Sequence, residues 1–141
     1  MQGALGPLVV REIVERHAFF ERWFNGLGDD GALPESLARF DCAFRRVDPA
    51  GGTADLAALA ASLAARRGGR AGDPVSIAVE APVVLWEAGG AVLATYVEVQ
   101  GPAASKERHR RRSTALFLAG PSGGLPLWRH VQETLLTPGG A

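Results

Sequence analysis

Two periodicities divide the chain. Up to about residue 70, apolar residues recur every three or four positions; from Asp73-Pro74 onward they recur every second position. In the first regime, LVVREIVERHAFFERWFNGLG places Val10, Ile13, Val14, His17, Phe20 and Phe24 on one helical stripe, widened by Phe19, Trp23 and Leu27. The charged residues Arg11, Glu12, Glu15, Arg16, Glu21 and Arg22 fall mostly between them, and Asn25, Gly26 and Gly28 end the helix. His17 lies inside the stripe, where a histidine is ordinarily a packed residue with one nitrogen satisfied. Pro34 opens a short second helix, FDCAFRRV alternates as a short strand, and DPAGG is a turn. Thr53 or Asp55 caps a third helix, DLAALAASLAARR, whose Leu56, Leu59, Ala60 and Leu63 face the core and which Gly68-Gly69 terminates.

In the second regime, VSIAVEA and PVVLWEA lead through Gly89-Gly90 into AVLATYVEVQ, a hairpin signal. RRRSTALFLA and LWRHVQETLL form a second hairpin across GPSGGLP, and the tail TPGGA is expected to fray. The expectation is an α+β fold: three helices, then four or five mainly antiparallel strands, with residues 1–141 as one domain and a core of about 9–136. The strand segment Thr114 to Ala119 is apolar on both sides, although the helices cover one face only. A second copy of the sheet is the simplest cover, which predicts a homodimer.

Composition narrows the function classes. A chain of 141 residues with 47% apolar content builds one substantial core and leaves no room for a separate catalytic domain. Fifteen basic and fifteen acidic residues cancel, so no bulk charge calls for nucleic acid or an anionic membrane. The single Cys42 excludes an intrachain disulfide and a cysteine zinc cluster; as a small apolar residue it is expected to be buried. No apolar run reaches the roughly 18 residues of a membrane span, so a soluble, cytoplasmic protein is expected.

The closing strand draws attention next. By strand alternation Trp128, His130, Gln132 and Thr134 share a face that is too polar for an ordinary core and too aromatic for an ordinary solvent face, which suggests a pocket wall. A β-bulge would change that face and bring Arg129, Val131 and Glu133 inward instead. The helix carrying HAFFERWFNG, the strand FRRVDPAGG before a helix, RRRSTALFL and the closing WRHVQETLL together resemble the nuclear-transport-factor-two-like superfamily. The similarity is greatest to its SnoaL-like and small uncharacterised bacterial branches, over about residues 9 to 136. The resemblance implies a cone: a strongly curved, mixed sheet wrapped around helices, a cavity at the open end, and a dimer through the outer sheet face. Similar chains often close on Trp-x-His-x-His-Glu; here the second histidine is Gln132.

Such a cone hosts isomerases, cyclases, dehydratases and noncatalytic binding proteins, so the residues have to decide. The reading is a cavity lined by Trp23, Phe44, Trp86, Tyr96, Trp128 and His130 that binds a small hydrophobic molecule. If the protein is an enzyme of isomerase, polyketide-cyclase or dehydratase type, His130 is the base, Tyr96 the oxyanion donor, and Glu98 or Gln132 the orienting partner. The plainer alternative makes Tyr96 and Trp86 core or dimer aromatics, Glu98 solvated, and His130 bonded to a neighbouring strand. A purely structural dimerisation module would fill its cavity with its own side chains. In KERHRRR, period two sends Arg110 and Arg112 one way and Arg111 the other; Arg112, beside Thr114, is the expected binder of a carboxylate or phosphate. No metal is expected, because His17, His109 and His130 lack ligand spacing, and no cofactor, because the glycine-rich stretches are turns without a phosphate-loop context.

Overall fold

The computed structural model describes residues 5–136; the tail expected to fray, residues 137–141, lies outside them. The elements are α1 (Leu5–Phe24), α2 (Ala32–Leu37), β1 (Phe40–Val47), β2 (Thr53–Asp55), α3 (Leu56–Ala65), β3 (Val75–Ala88), β4 (Ala91–Pro102), β5 (His109–Leu118) and β6 (Leu127–Leu135). One six-stranded mixed sheet has the order β2-β1-β6-β5-β4-β3. All pairs are antiparallel except β1 with β6, and the open sheet, with β2 and β3 at its edges, wraps around the helices as a cone. No helix of the described residues is long and apolar enough to cross a membrane.

Local signals explain the element ends. Gly89 and Gly90 both have positive φ, 59° and 78°, as the tight β3–β4 hairpin turn requires. Of the two candidate caps for α3, Asp55 holds the position, accepting from the Ala58 amide, while Thr53 belongs to β2. The segments VSIAVEA and PVVLWEA form one bent strand, because an irregularity between Glu80 and Val83, with Ala81 at φ 50°, turns β3 without ending it. Edge strand β3 is tied to α1 by side chains: Asn25 both donates to the Val75 carbonyl and accepts from its amide, and Glu21 accepts from Ile77 N–H. These bonds hold the C-terminal half of α1 across the concave face of the sheet.

The buried stripe of α1 is rotated from the expected one. Val9, Glu12, Ile13, Arg16, His17, Trp23 and Phe24 are buried, whereas Val14 and Leu27 are exposed. The charged pair can be buried because its partners are buried too. Glu12 accepts two bonds from the Arg16 guanidinium, at 2.7 and 2.9 Å, and one from the Trp128 indole at 2.8 Å, and Arg16 also donates to Ser36 Oγ at 2.6 Å. This network fastens α1 to β6 and α2. Cys42, expected to be buried, is exposed, because it falls where the β1–β6 register shifts between Phe40 and Arg45.

The same kind of irregularity decides which face each late residue occupies. Phe117 pairs with Trp128 and Leu116 with His130, so Arg129 is the extra residue of a bulge in β6. Trp128, Val131 and Glu133 therefore face the helices, in line with Phe117, Ala115 and Ser113, while His130 and Gln132 pair with Leu116 and Thr114 on the outer face. Trp86 pairs with Leu93, which pairs with Leu116, so Trp86 is outside as well and is 53% exposed.

Candidate functional site

A recess of about 290 Å³ opens between the concave sheet and helices α1 and α3. Its deep wall is apolar and aromatic: Phe20 and Phe24 from α1, Phe40 and Phe44 from β1, Tyr96 from β4 and Trp128 from β6, with Leu59, Leu63, Ile77 and Val131 between them. Alternation builds this wall, since Phe44 and Arg46, Tyr96 and Glu98, and Val131 and Glu133 are each two residues apart on one strand face.

The polar part of the recess has two groups. In the first, His17 stands edge-on to the Tyr96 ring at 5.1 Å, with Nδ1 2.8 Å from the Ile13 carbonyl and Nε2 3.1 Å from Glu98 Oε1. The carbonyl only accepts, so Nδ1 carries a hydrogen; the contact between Nε2 and the carboxylate then requires one proton between them. Whichever partner holds that proton, the buried pair is neutral as a unit. Burial alone would raise the Glu98 pKa, but the hydrogen bond and charge of His17, the amide of Gln100 and the charge of Arg111 outweigh it and bring it down to about 2. Tyr96 is pushed well above its ordinary value by burial first and by the Glu98 charge second, so its phenol stays protonated and able to donate.

The second group lies nearer the rim. Glu133 Oε1 accepts from Arg46 at 3.1 and 2.6 Å and from Arg111 at 3.4 Å. Arg111 Nε is buried with no partner among the described residues. The Arg66 guanidinium lies over the Phe24 ring at 4.1 Å, and no carboxylate among the described residues reaches it. Partial burial, then the charges of Arg46 and Arg111, hold its pKa below the ordinary arginine value.

The residues picked from the sequence thus separate into two sets. Phe44, Tyr96, Glu98 and Trp128 line the recess together. His130, Gln132, Trp86, Arg112 and Thr114 do not; they stand on the outer face, so His130 cannot be a base for this recess, nor Arg112 its anion binder. The physical reason is the single inserted residue in β6 and the phase of β5, which sends Arg111 inward in place of Arg112. Trp23 is buried but elsewhere: it stacks on Phe19, donates to the Leu63 carbonyl and lies under Arg67. Of the polar lining residues, Arg46, Ser62, Arg66 and Gln100 were not picked from the sequence; His17 was read as a packed residue, Arg111 was passed over for Arg112, and Glu133 is the inward residue expected if β6 carried a bulge. His17 carried its own signal, an ionisable residue inside an apolar stripe, but its partner Glu98 lies 81 residues away in sequence. Among the described residues, no group of three or more His, Cys, Asp or Glu side chains is arranged to hold a metal ion.

Neither a family model nor a curated protein matches the chain. Solved structures do. An NTF-2-like protein of unknown function from Pseudomonas aeruginosa is 29% identical, covering 92% of this chain and 99% of that one, with a TM-score of 0.81. A ketosteroid isomerase-like protein from Erwinia carotovora atroseptica is 12% identical over 98% and 100% of the two chains, TM-score 0.68. ActVI-ORFA from Streptomyces coelicolor is 15% identical over 90% and 96%, TM-score 0.61. The last two share the fold alone.

Proposed function

We propose that this chain, which shares the NTF2-like fold, binds a small molecule with an apolar, ring-containing body in the recess of its cone. One observation carries the reading: the sheet, α1 and α3 leave a space of about 290 Å³ walled by six aromatic rings rather than filling it with side chains. That volume is at the small end of the roughly 300–1,000 Å³ typical of small-molecule sites, which limits the body to about one ring and a short arm. Native mass spectrometry of freshly purified protein, paired with a denaturing spectrum, tests it. A small mass that is lost on denaturation is the expected result. A protein that carries no such mass and takes up no apolar probe at millimolar concentration refutes it.

A second reading, an enzyme of isomerase, cyclase or dehydratase type, is favoured by one feature. The hydrogen-bonded pair of His17 and Glu98 lies beside the Tyr96 ring, in a wall of the same recess. On this reading His17 and Glu98 exchange a proton with the ligand while neutral Tyr96 donates to a developing oxyanion. For any molecule found to be turned over, His17→Gln abolishes turnover and His130→Ala leaves it unchanged. Loss of turnover in His130→Ala with survival in His17→Gln overturns the assignment.

The outer face supports a homodimer as a further part of the proposal. Trp86, Leu93, Leu116 and His130 form one row across four strands, and Trp86, Leu85 and Val83 are about half exposed. A second copy presenting the same row would cover it.

A further inference from the structure

We infer that the small molecule taken by this recess is an acid: an apolar body seated on the aromatic wall, with an anionic head, most simply a carboxylate, held at the rim by Arg46, Arg66 and Arg111. The inference rests on the binding reading above and names its ligand class.

The argument is one of charge. Five ionised or ionisable side chains besides His17 face the recess: Glu98, Glu133 and the three arginines. Glu98 is taken up by His17, and that pair is neutral as a unit whichever partner holds the shared proton. Glu133 alone is left to meet three guanidiniums, which leaves an excess of two positive charges in one half-enclosed space. The geometry agrees. Glu133 is well engaged by Arg46, at 2.6 Å, but only distantly by Arg111, at 3.4 Å, and it does not reach Arg66. Solvent relieves the charges of Arg46 and Arg111 only in part, since their side chains are 33% and 24% exposed, while Arg66 is exposed at the rim. Like charges held this close repel, and the arrangement persists in the folded chain at a cost that an anion would remove.

Donors are also unspent. Arg111 Nε is unpartnered among the described residues but fully buried, so the donor open to a ligand is Arg66, which rests on the face of Phe24 with no hydrogen bond from its guanidinium among the described residues. A planar carboxylate matches such forks two bonds at a time. Phe24 belongs to the aromatic wall and to the Arg66 contact alike, so the apolar and cationic parts of the recess adjoin. A cavity of about 150 Å³ holds a benzene ring, so 290 Å³ fits a ring plus a short acid arm.

The test is isothermal titration calorimetry at pH 7 and low salt with benzoate, phenylacetate and 3-phenylpropanoate, each against its neutral amide, on wild type and on Arg66→Gln. Arg66 lies at the rim and holds no carboxylate of the fold, so its replacement leaves the core network intact; a melting curve verifies that. At least one acid is expected to bind about ten-fold more tightly than its amide, to weaken with added salt, and to lose about ten-fold in Arg66→Gln while the amide does not change. Equal affinity for acid and amide, or an acid affinity indifferent to Arg66, overturns the charge assignment and leaves the small-molecule reading standing. Failure of every acid to bind while the amides do has the same meaning. If neither series binds, the acid inference falls, and the native mass spectrum separately decides whether the binding reading falls with it.

Discussion

Removal of the His17 imidazole should release Glu98 from the cause that holds its carboxylate ionised. The folded pKa of about 2 lies well below the ordinary 4.5, so the contribution of Glu98 to stability is present above 4.5 and is lost as pH falls towards 2. At roughly 1.4 kcal/mol per pKa unit, that contribution is on the order of 3 kcal/mol at pH 5 and on the order of 1 kcal/mol at pH 3. Wild type should therefore lose about 2 kcal/mol from this one carboxylate across that window. Other carboxylates also titrate in this window, so the part that belongs to Glu98 is read as the difference between wild type and His17→Gln. In His17→Gln, burial is opposed only by Gln100 and Arg111, so the midpoint moves up towards or past 4.5 and most of the slope between pH 5 and pH 3 disappears. The assay has two arms: a carbon-detected side-chain carboxyl titration that locates the Glu98 midpoint in each protein, and urea unfolding of both at pH 5, 4 and 3. An unchanged low midpoint and an unchanged slope in His17→Gln would refute the claim that the imidazole holds this carboxylate ionised.

Two further expectations follow from named contacts. Glu12→Leu strands the buried Arg16 guanidinium and the Trp128 indole N–H, and removal of one partner of a buried ion pair costs about 3–5 kcal/mol. The double replacement Glu12→Leu with Arg16→Met should unfold at higher urea than the single one, and a double variant that loses the sum of both singles would count against the network. On the outer face, Leu116→Arg places a charge in the row of Trp86, Leu93 and His130, so light scattering should show a dimer for wild type and a monomer for the variant; a wild-type monomer rejects the proposed second copy.

Local chemistry sufficed for the elements of this chain. The helical period of α1, a cap for α3 at Thr53 or Asp55, the paired glycines at 89 and 90 and the two-residue alternation after Asp73 each act within a few positions, so they could be read along the sequence, whereas the buried stripe of α1 and the short β2 depended on packing and pairing. The inward assignment of Phe44, Tyr96, Glu98 and Trp128 was legible for the same reason, because alternation along one strand needs no partner. The faces of the remaining site residues were set by pairing between strands. One extra residue at Arg129 moved His130 and Gln132 outside and brought Val131 and Glu133 inside, since a bulge inverts every position beyond it. The phase of β5 against β4 likewise chose Arg111 over Arg112. The charged chemistry of the recess depends on the assembled sheet. His17 meets Glu98 across 81 residues, and Arg46 meets Glu133 across 87. The first needs α1 packed against β4 and the second needs β1 paired with β6, so tertiary structure alone decided where the polar groups of the recess converge.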